Sequence, residues 1–178
     1  GKLDTILLQF VTLFDGEKKL KMSKRKGNYV TMRELIEEVG SDVVRFFFLQ
    51  RSADKHLDFD LKLAKEKSKD NPVYYIQYAH ARMCSILEKT ENKQNSSGFL
   101  KLTHPSELDL IKKLIHYPEI IEEIVKDYQV HKIAQFALEL AQSFSGFYRD
   151  CQVLNDDKQM QQDRIALVKA TRIILRDC

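Results

Sequence analysis

The sequence predicts a mainly α protein: a helical bundle preceded by a small strand–loop–helix piece. Beyond about residue 60, apolar residues recur at three-and-four spacing in segment after segment, the period of helices that bury one face. Prolines and small polar residues stand at the heads of several of these segments, where helices start. Before residue 60 the pattern changes, because residues 5–14 (TILLQFVTLF) form a nearly unbroken apolar, β-prone run. Such a run suits a strand covered on both faces. A chain of 178 residues can bury a core of one or two domains, expected here at 1–59 and 60–178.

The elements follow in order. An interior strand needs a sheet, yet no second β–α–β unit is apparent, so the sheet around residues 5–14 is expected in preceding sequence. Asp15-Gly16 marks a turn, and a basic loop runs on to a second turn at Gly27-Asn28. Thr31 and Glu34 have capping-box spacing and start a short helix ending near Gly40. Ser41 is expected to cap the next helix, which Val43, Val44, Phe46, Phe47 and Leu49 make largely buried. Residues 54–60 read as a connection, and 61–69 as a lysine-rich helix with Lys62, Lys65, Lys67 and Lys69 on a solvated face. Asn71-Pro72 supplies an N-cap and a proline at the first helical position, for a helix reaching about residue 89. Residues 91–98 (ENKQNSSG) form a polar hinge. Pro105 and Pro118 then open two shorter helices with stripes Leu108, Ile111, Leu114, Ile115 and Ile120, Ile121, Ile124, Val125. A long helix carries Ile133, Phe136, Ala137, Leu140, Phe144, Phe147 and Cys151. Asn155-Asp156-Asp157 interrupts it before a last helix from about Gln159.

Composition excludes several classes. No apolar run approaches the roughly 20 residues that span a bilayer, and no signal-peptide succession opens the chain, so a cytoplasmic protein without membrane partners is expected. Cys84, Cys151 and Cys178 are odd in number and far apart, which argues against a disulfide framework or a zinc site. His80 and His131 lack a second ligand at metal spacing, so packing roles and no metal are expected. The ten residues 17–26 (EKKLKMSKRK) carry +5 while the other 168 carry −2, so the positive charge is local. A compact cationic loop suits phosphates or an RNA backbone, although charge alone equally fits a solvated basic loop.

Within that loop, Lys21-Met22-Ser23-Lys24-Arg25 is the sharpest feature. Two lysines three apart can reach one triphosphate, while Ser23 and the loop amides can donate to its oxygens. Ammonium groups placed beside a departing pyrophosphate stabilise the charge that grows there in the transition state. A second candidate comes from helical spacing. Tyr75, Tyr78 and Arg82 fall at i, i+3 and i+7, with Asn71 one turn earlier. Tyrosines with an arginine can stack an unpaired base and hold its phosphate. The same stripe could instead hold half-buried core tyrosines with wet hydroxyls. Tyr148 falls off the apolar stripe of its helix and could join such a face.

KMSKR resembles the KMSKS signature of class I aminoacyl-tRNA synthetases, with Arg25 in the place of the last serine. The longer string KMSKRKGNYVTMRELIEEVGSD, followed by VVRFFFLQRS, LDFDLKLA and NPVYYIQYAHAR, is similar to arginyl-tRNA synthetases over nearly the whole chain. The resemblance implies an arginine–tRNA ligase that forms arginyl-adenylate from ATP with Mg2+, adenylation depending on bound tRNA. It implies ATP binding by Lys21, Met22, Ser23, Lys24 and Arg25, with Lys21 and Lys24 as the catalytic pair. Residues 31–51 would support the acceptor stem of the tRNA. The helices beyond would be the anticodon-binding domain, with Asn71, Tyr75, Tyr78, Arg82 and Tyr148 on tRNA. No His-x-Gly-His string occurs, so the isolated chain is expected to be an inactive monomer that brings the loop and the tRNA-binding bundle to a larger enzyme. Another class I synthetase, such as the cysteine enzyme, and a stand-alone RNA-binding module are the alternatives.

Overall fold

A computed structural model describes residue 3 and residues 5–20, 30–90 and 102–178. The KMSKR motif, residues 21–25, and the expected hinge, residues 91–98, lie outside them. The first part is a small three-stranded sheet with order β2-β1-β3 and short helices beside it. Strand β1 (Val11–Asp15) turns back at Gly16, φ +60°, into β2 (Lys18–Lys19). Glycine suits the positive φ at the first of two turn residues in a tight hairpin. Helices α1 (Met32–Val39) and α2 (Ser41–Leu49) then carry the chain to β3 (Leu57–Asp60). Strand β3 pairs in parallel with β1, from Val11↔Leu57 to Phe14↔Asp60.

Three expectations need correction here. The stretch taken as a connection contains β3, in which Leu57 and Phe59 are buried while Asp58 is exposed. Sequence thus supplies its own parallel partner for β1. The ladder pairs only four residues of β1, because β3 is four residues long, so residues 5–10 are not strand. Leu7, Leu8 and Phe10 are 77–83% exposed rather than interior. Ser41 is the first residue of α2 and makes no cap. Gly40, at φ +88°, ends α1 and precedes α2, a conformation glycine adopts without Cβ strain. The capping box of α1 is as expected: Thr31 Oγ1 accepts from the Glu34 amide at 3.2 Å, and Glu34 accepts from the Thr31 amide at 2.7 Å.

The sheet and these helices enclose a core of Leu13, Leu35, Val44, Phe47, Phe59, Leu61, Ala64 and Val73, with the Phe47 and Phe59 rings 5.3 Å apart. Helix α3 (Leu61–Lys65) is shorter than expected, and its Lys65 pairs with Glu38 at 2.6 Å. Leu61, Ala64 and Val73 close this first core, and the second begins with Ala79 further along α4 (Pro72–Glu88).

The second core is the bundle of α4, α5 (Pro105–Asp127), α6 (His131–Asp150) and α7 (Lys158–Asp177). Met83, Leu110, Leu140, Phe144, Phe147, Leu167 and Val168 fill it, each at most 1% exposed. Burying such a side chain stabilises by about 1.5–3 kcal/mol. Pro105 and Pro118 do not open two helices. Pro118 stands exposed inside one helix, α5, on the side where helices bend outward and a freed carbonyl can turn to water. Asp157 caps α7, accepting from the Gln159 and Met160 amides. The heads of α5 and α7 are joined by a buried ion pair. Glu107, 1% exposed, accepts from Arg164 Nε at 2.7 Å and completes the α5 capping box at the His104 amide.

Candidate functional site

Two places bear the predicted residues. The first is the base of the basic loop. β2 extends the hairpin until the Leu20 amide donates to the Leu13 carbonyl at 2.9 Å, one residue before Lys21. The chain returns at Val30 and the Thr31 cap, and Leu20 and Val30 both pack on the first core. Lys21, Met22, Ser23, Lys24 and Arg25 lie outside the described residues, but both stems of their loop are fixed to one small sheet-and-helix body. Among the described residues no group of three or more His, Cys, Asp and Glu side chains could hold a metal ion.

The second place is a face shared by α4 and α6. Tyr78 is 54% exposed and Tyr148 40%. Between them lies Arg82, whose Cζ sits 5.2 Å from the Tyr78 ring centroid and 5.0 Å from that of Tyr148. Arg82 Nη1 donates to Tyr148 Oη at 3.1 Å, and Nη2 donates to Tyr78 Oη. The phenol oxygens of Tyr148 and then Tyr78 raise the guanidinium above its usual basicity, so it stays charged. Tyr148 is backed by Phe144, the rings stacked with centroids 6.1 Å apart. The sequence put Tyr78 and Arg82 one turn apart; the fold adds Tyr148 from 66 residues away. Two aromatic faces and a permanent cation, at the surface, suit an unstacked base and its phosphate.

Tyr75 and Asn71 sit elsewhere. Tyr75 is half-buried and packs against the bundle core. Asn71 is 2% exposed, and its whole side chain is engaged within the chain. Its Oδ1 accepts from the Val73 and Tyr74 amides, and its Nδ2 donates to the Ala64 and Glu66 carbonyls at 3.2 and 2.9 Å. Asn71 therefore does not lie on the exposed face; it starts α4 and ties it to α3. A residue the sequence reading passed over is Asp60, whose Oδ1 accepts from the Gly16, Lys62 and Leu63 amides. An acidic residue directly before LKLA was the available sign of a helix cap.

The chain thus joins a helical bundle with an exposed tyrosine–arginine face to a parallel β–α–β piece. Residues 76–178 match the family model of the DALR anticodon binding domain, and residues 8–74 match that of tRNA synthetases class I (M). An arginine–tRNA ligase from Heliobacterium modesticaldum is 47% identical over 99% of the chain, which spans 33% of that relative. A crystal structure of a protein assigned as an arginyl-tRNA synthetase from Campylobacter jejuni superposes with TM-score 0.82 at 26% identity, covering 96% of this chain and 37% of that one. Thermus thermophilus arginyl-tRNA synthetase gives TM-score 0.67 at 26% identity over 85% of this chain and 26% of its own. The chain belongs to the DALR anticodon binding domain family, and the relatives named here that it resembles are arginyl-tRNA synthetases. It spans about a third of the length of the curated relatives it matches.

Proposed function

We propose that this chain acts within an arginine–tRNA ligase, supplying the loop that handles ATP phosphates and the face that holds the tRNA anticodon. The Tyr78–Arg82–Tyr148 cluster carries the second half of this reading, because it is exposed, preorganised and within the matched anticodon-binding segment. In the first half, a carboxylate oxygen of arginine attacks the α-phosphorus of ATP and pyrophosphate leaves. Lys21 and Lys24 neutralise the leaving phosphates, with Lys24 acting most strongly as charge develops. Met22, Ser23 and Arg25 complete the loop, Ser23 by ordering it. Mg2+ arrives with ATP. The division of labour falls in the opening turns of α4. The isolated chain binds tRNA without charging it, and works as a monomer in the cytoplasm.

Tyr78, Arg82 and Tyr148 form the contact face, Tyr75 shapes it from behind, and Asn71 contributes only by fixing the start of α4. Stacking a base is worth about 1–3 kcal/mol, so Tyr148→Ala should weaken tRNA binding by about tenfold or more. Equilibrium binding of the arginine tRNA transcript at fixed salt tests this. Unchanged affinity in both Tyr78→Ala and Tyr148→Ala would remove the face from the interface. Lys24→Ala in the full-length enzyme should slow adenylation while tRNA affinity holds, and an undiminished rate would refute the loop assignment.

A further inference from the structure

Helix α3 is held at both ends by single side chains. At its head, Asp60 Oδ1 accepts from Lys62 N at 2.9 Å and Leu63 N at 3.2 Å, which is an ordinary N-cap. The same oxygen also accepts from Gly16 N at 3.2 Å, in the turn of the β1–β2 hairpin. Asp60 lies at the end of β3, where it pairs with Phe14, so the contact reaches across the strand ends to the turn. At the tail of α3, Asn71 Nδ2 takes the Ala64 and Glu66 carbonyls, while its Oδ1 caps α4. Seven residues past Asn71 along α4 comes Tyr78, and four further Arg82. A continuous series of hydrogen bonds therefore joins the hairpin, α3 and the helix that bears the exposed face.

We propose that Asp60 is a positioning residue: by bonding the Gly16 amide it fixes the β1–β2 hairpin on α3, and so sets where Leu20, the residue that leads into the KMSKR motif, stands relative to α4. This rests on the reading that the loop handles ATP phosphates. A carboxylate is a stronger acceptor than a neutral oxygen, and the three donors converge on one oxygen. The cap alone would need only two of them. The Gly16 contact is the one that does not serve α3 itself. Because the hairpin ends at Leu20, bonded to Leu13, a rotation of the turn is passed to the residue before Lys21. Asp60 touches no substrate in this scheme, and its loss should act on ATP binding rather than on the face formed by Tyr78 and Arg82.

Three variants of the full-length enzyme separate these roles. Asp60→Asn keeps an oxygen at the same distance from the backbone and can accept from all three amides. Asp60→Ser, one bond shorter, keeps the α3 cap and withdraws from Gly16. Lys24→Ala reports on the loop itself. In arginine-dependent ATP–pyrophosphate exchange with saturating tRNA, Asp60→Ser should lower kcat/KM for ATP about tenfold, the size expected for one charge-assisted bond. Asp60→Asn should lie within about twofold of wild type, and the tRNA Kd should be unchanged in both. An unaltered kcat/KM in Asp60→Ser, or an equal loss of tRNA affinity alongside it, overturns the positioning role. If Lys24→Ala is also silent, the loop reading falls and this inference with it; if Lys24→Ala slows exchange while Asp60→Ser does not, only the inference falls.

Discussion

Removing Glu107 gives the most direct test of how the bundle is held. Its side chain is 1% exposed, bonded to Arg164 Nε at 2.7 Å and to the His104 amide at 2.9 Å. Arg164 is itself only 12% exposed and keeps one further bond, to the Gln152 carbonyl at 2.8 Å. Glu107→Ala thus leaves a largely buried guanidinium without its carboxylate and a helix head without its box. Breaking one side of a buried pair costs about 3–5 kcal/mol, and the surviving Gln152 bond points to the lower end, about 3 kcal/mol. With a urea m-value of about 2 kcal/mol/M, the midpoint should fall by about 1.5 M. Glu107→Gln retains an acceptor and loses only charge assistance, so a fall of about 0.5–1 M is expected. Circular dichroism during urea titration, with Arg164→Ala and the double variant completing a cycle, supplies the measurement. If the two single effects simply add in the double variant, or the Glu107→Ala midpoint moves less than about 0.3 M at constant m, the pair is not what joins α5 to α7.

Other outcomes follow from the titrating groups. Burial, with Arg172 and then Arg176 nearby, lowers the His80 pKa below its ordinary 6.5. Its contribution is therefore complete above pH 6.5 and is lost as pH falls through the depressed folded value, and His80→Gln should flatten that stretch of a stability–pH curve. Asp150, bonded by Arg149 and then by Ser106 Oγ, is lowered to about 2. A carboxyl titration followed by NMR should find a midpoint near 2, and Ser106→Ala should raise it; an unperturbed midpoint contradicts the bond between the heads of α5 and the tail of α6. Stability from Asp150 is present above the unfolded carboxyl range and disappears as pH drops toward that value.

The sequence was most legible where local chemistry decides the outcome. Thr31 with Glu34, and Asn71 before Pro72, marked helix starts that the structure keeps to the residue. Periodicity likewise gave most of the buried stripe of α6, where Phe136, Ala137, Leu140, Phe144 and Phe147 are all buried. It failed where distant partners decide. LDFD alternates correctly for a half-buried strand, but four residues with two aspartates do not stand out until β1 pairs with them. Pro118 looks like a helix start because proline favours first turns, and only its exposed position on a long, well-packed helix lets it remain inside. For the candidate site, spacing put Tyr78 and Arg82 on one face. It could not tell that Asn71, on the same side of the helix wheel, would be covered by α3, because burial there depends on the tertiary contact of another element.

Helix α4 has Val73 in the sheet-side core and Ala79, Met83 and Ile86 in the bundle core. A rigid rod rooted in two hydrophobic bodies gives neither of them freedom to melt alone, since unravelling either end strips the other of a wall. Heating should accordingly show a single cooperative step instead of two. The same rooting limits how far the tyrosine–arginine face can swing against the hairpin, so the two ends of a long ligand would meet a spacing set by one helix rather than by a joint.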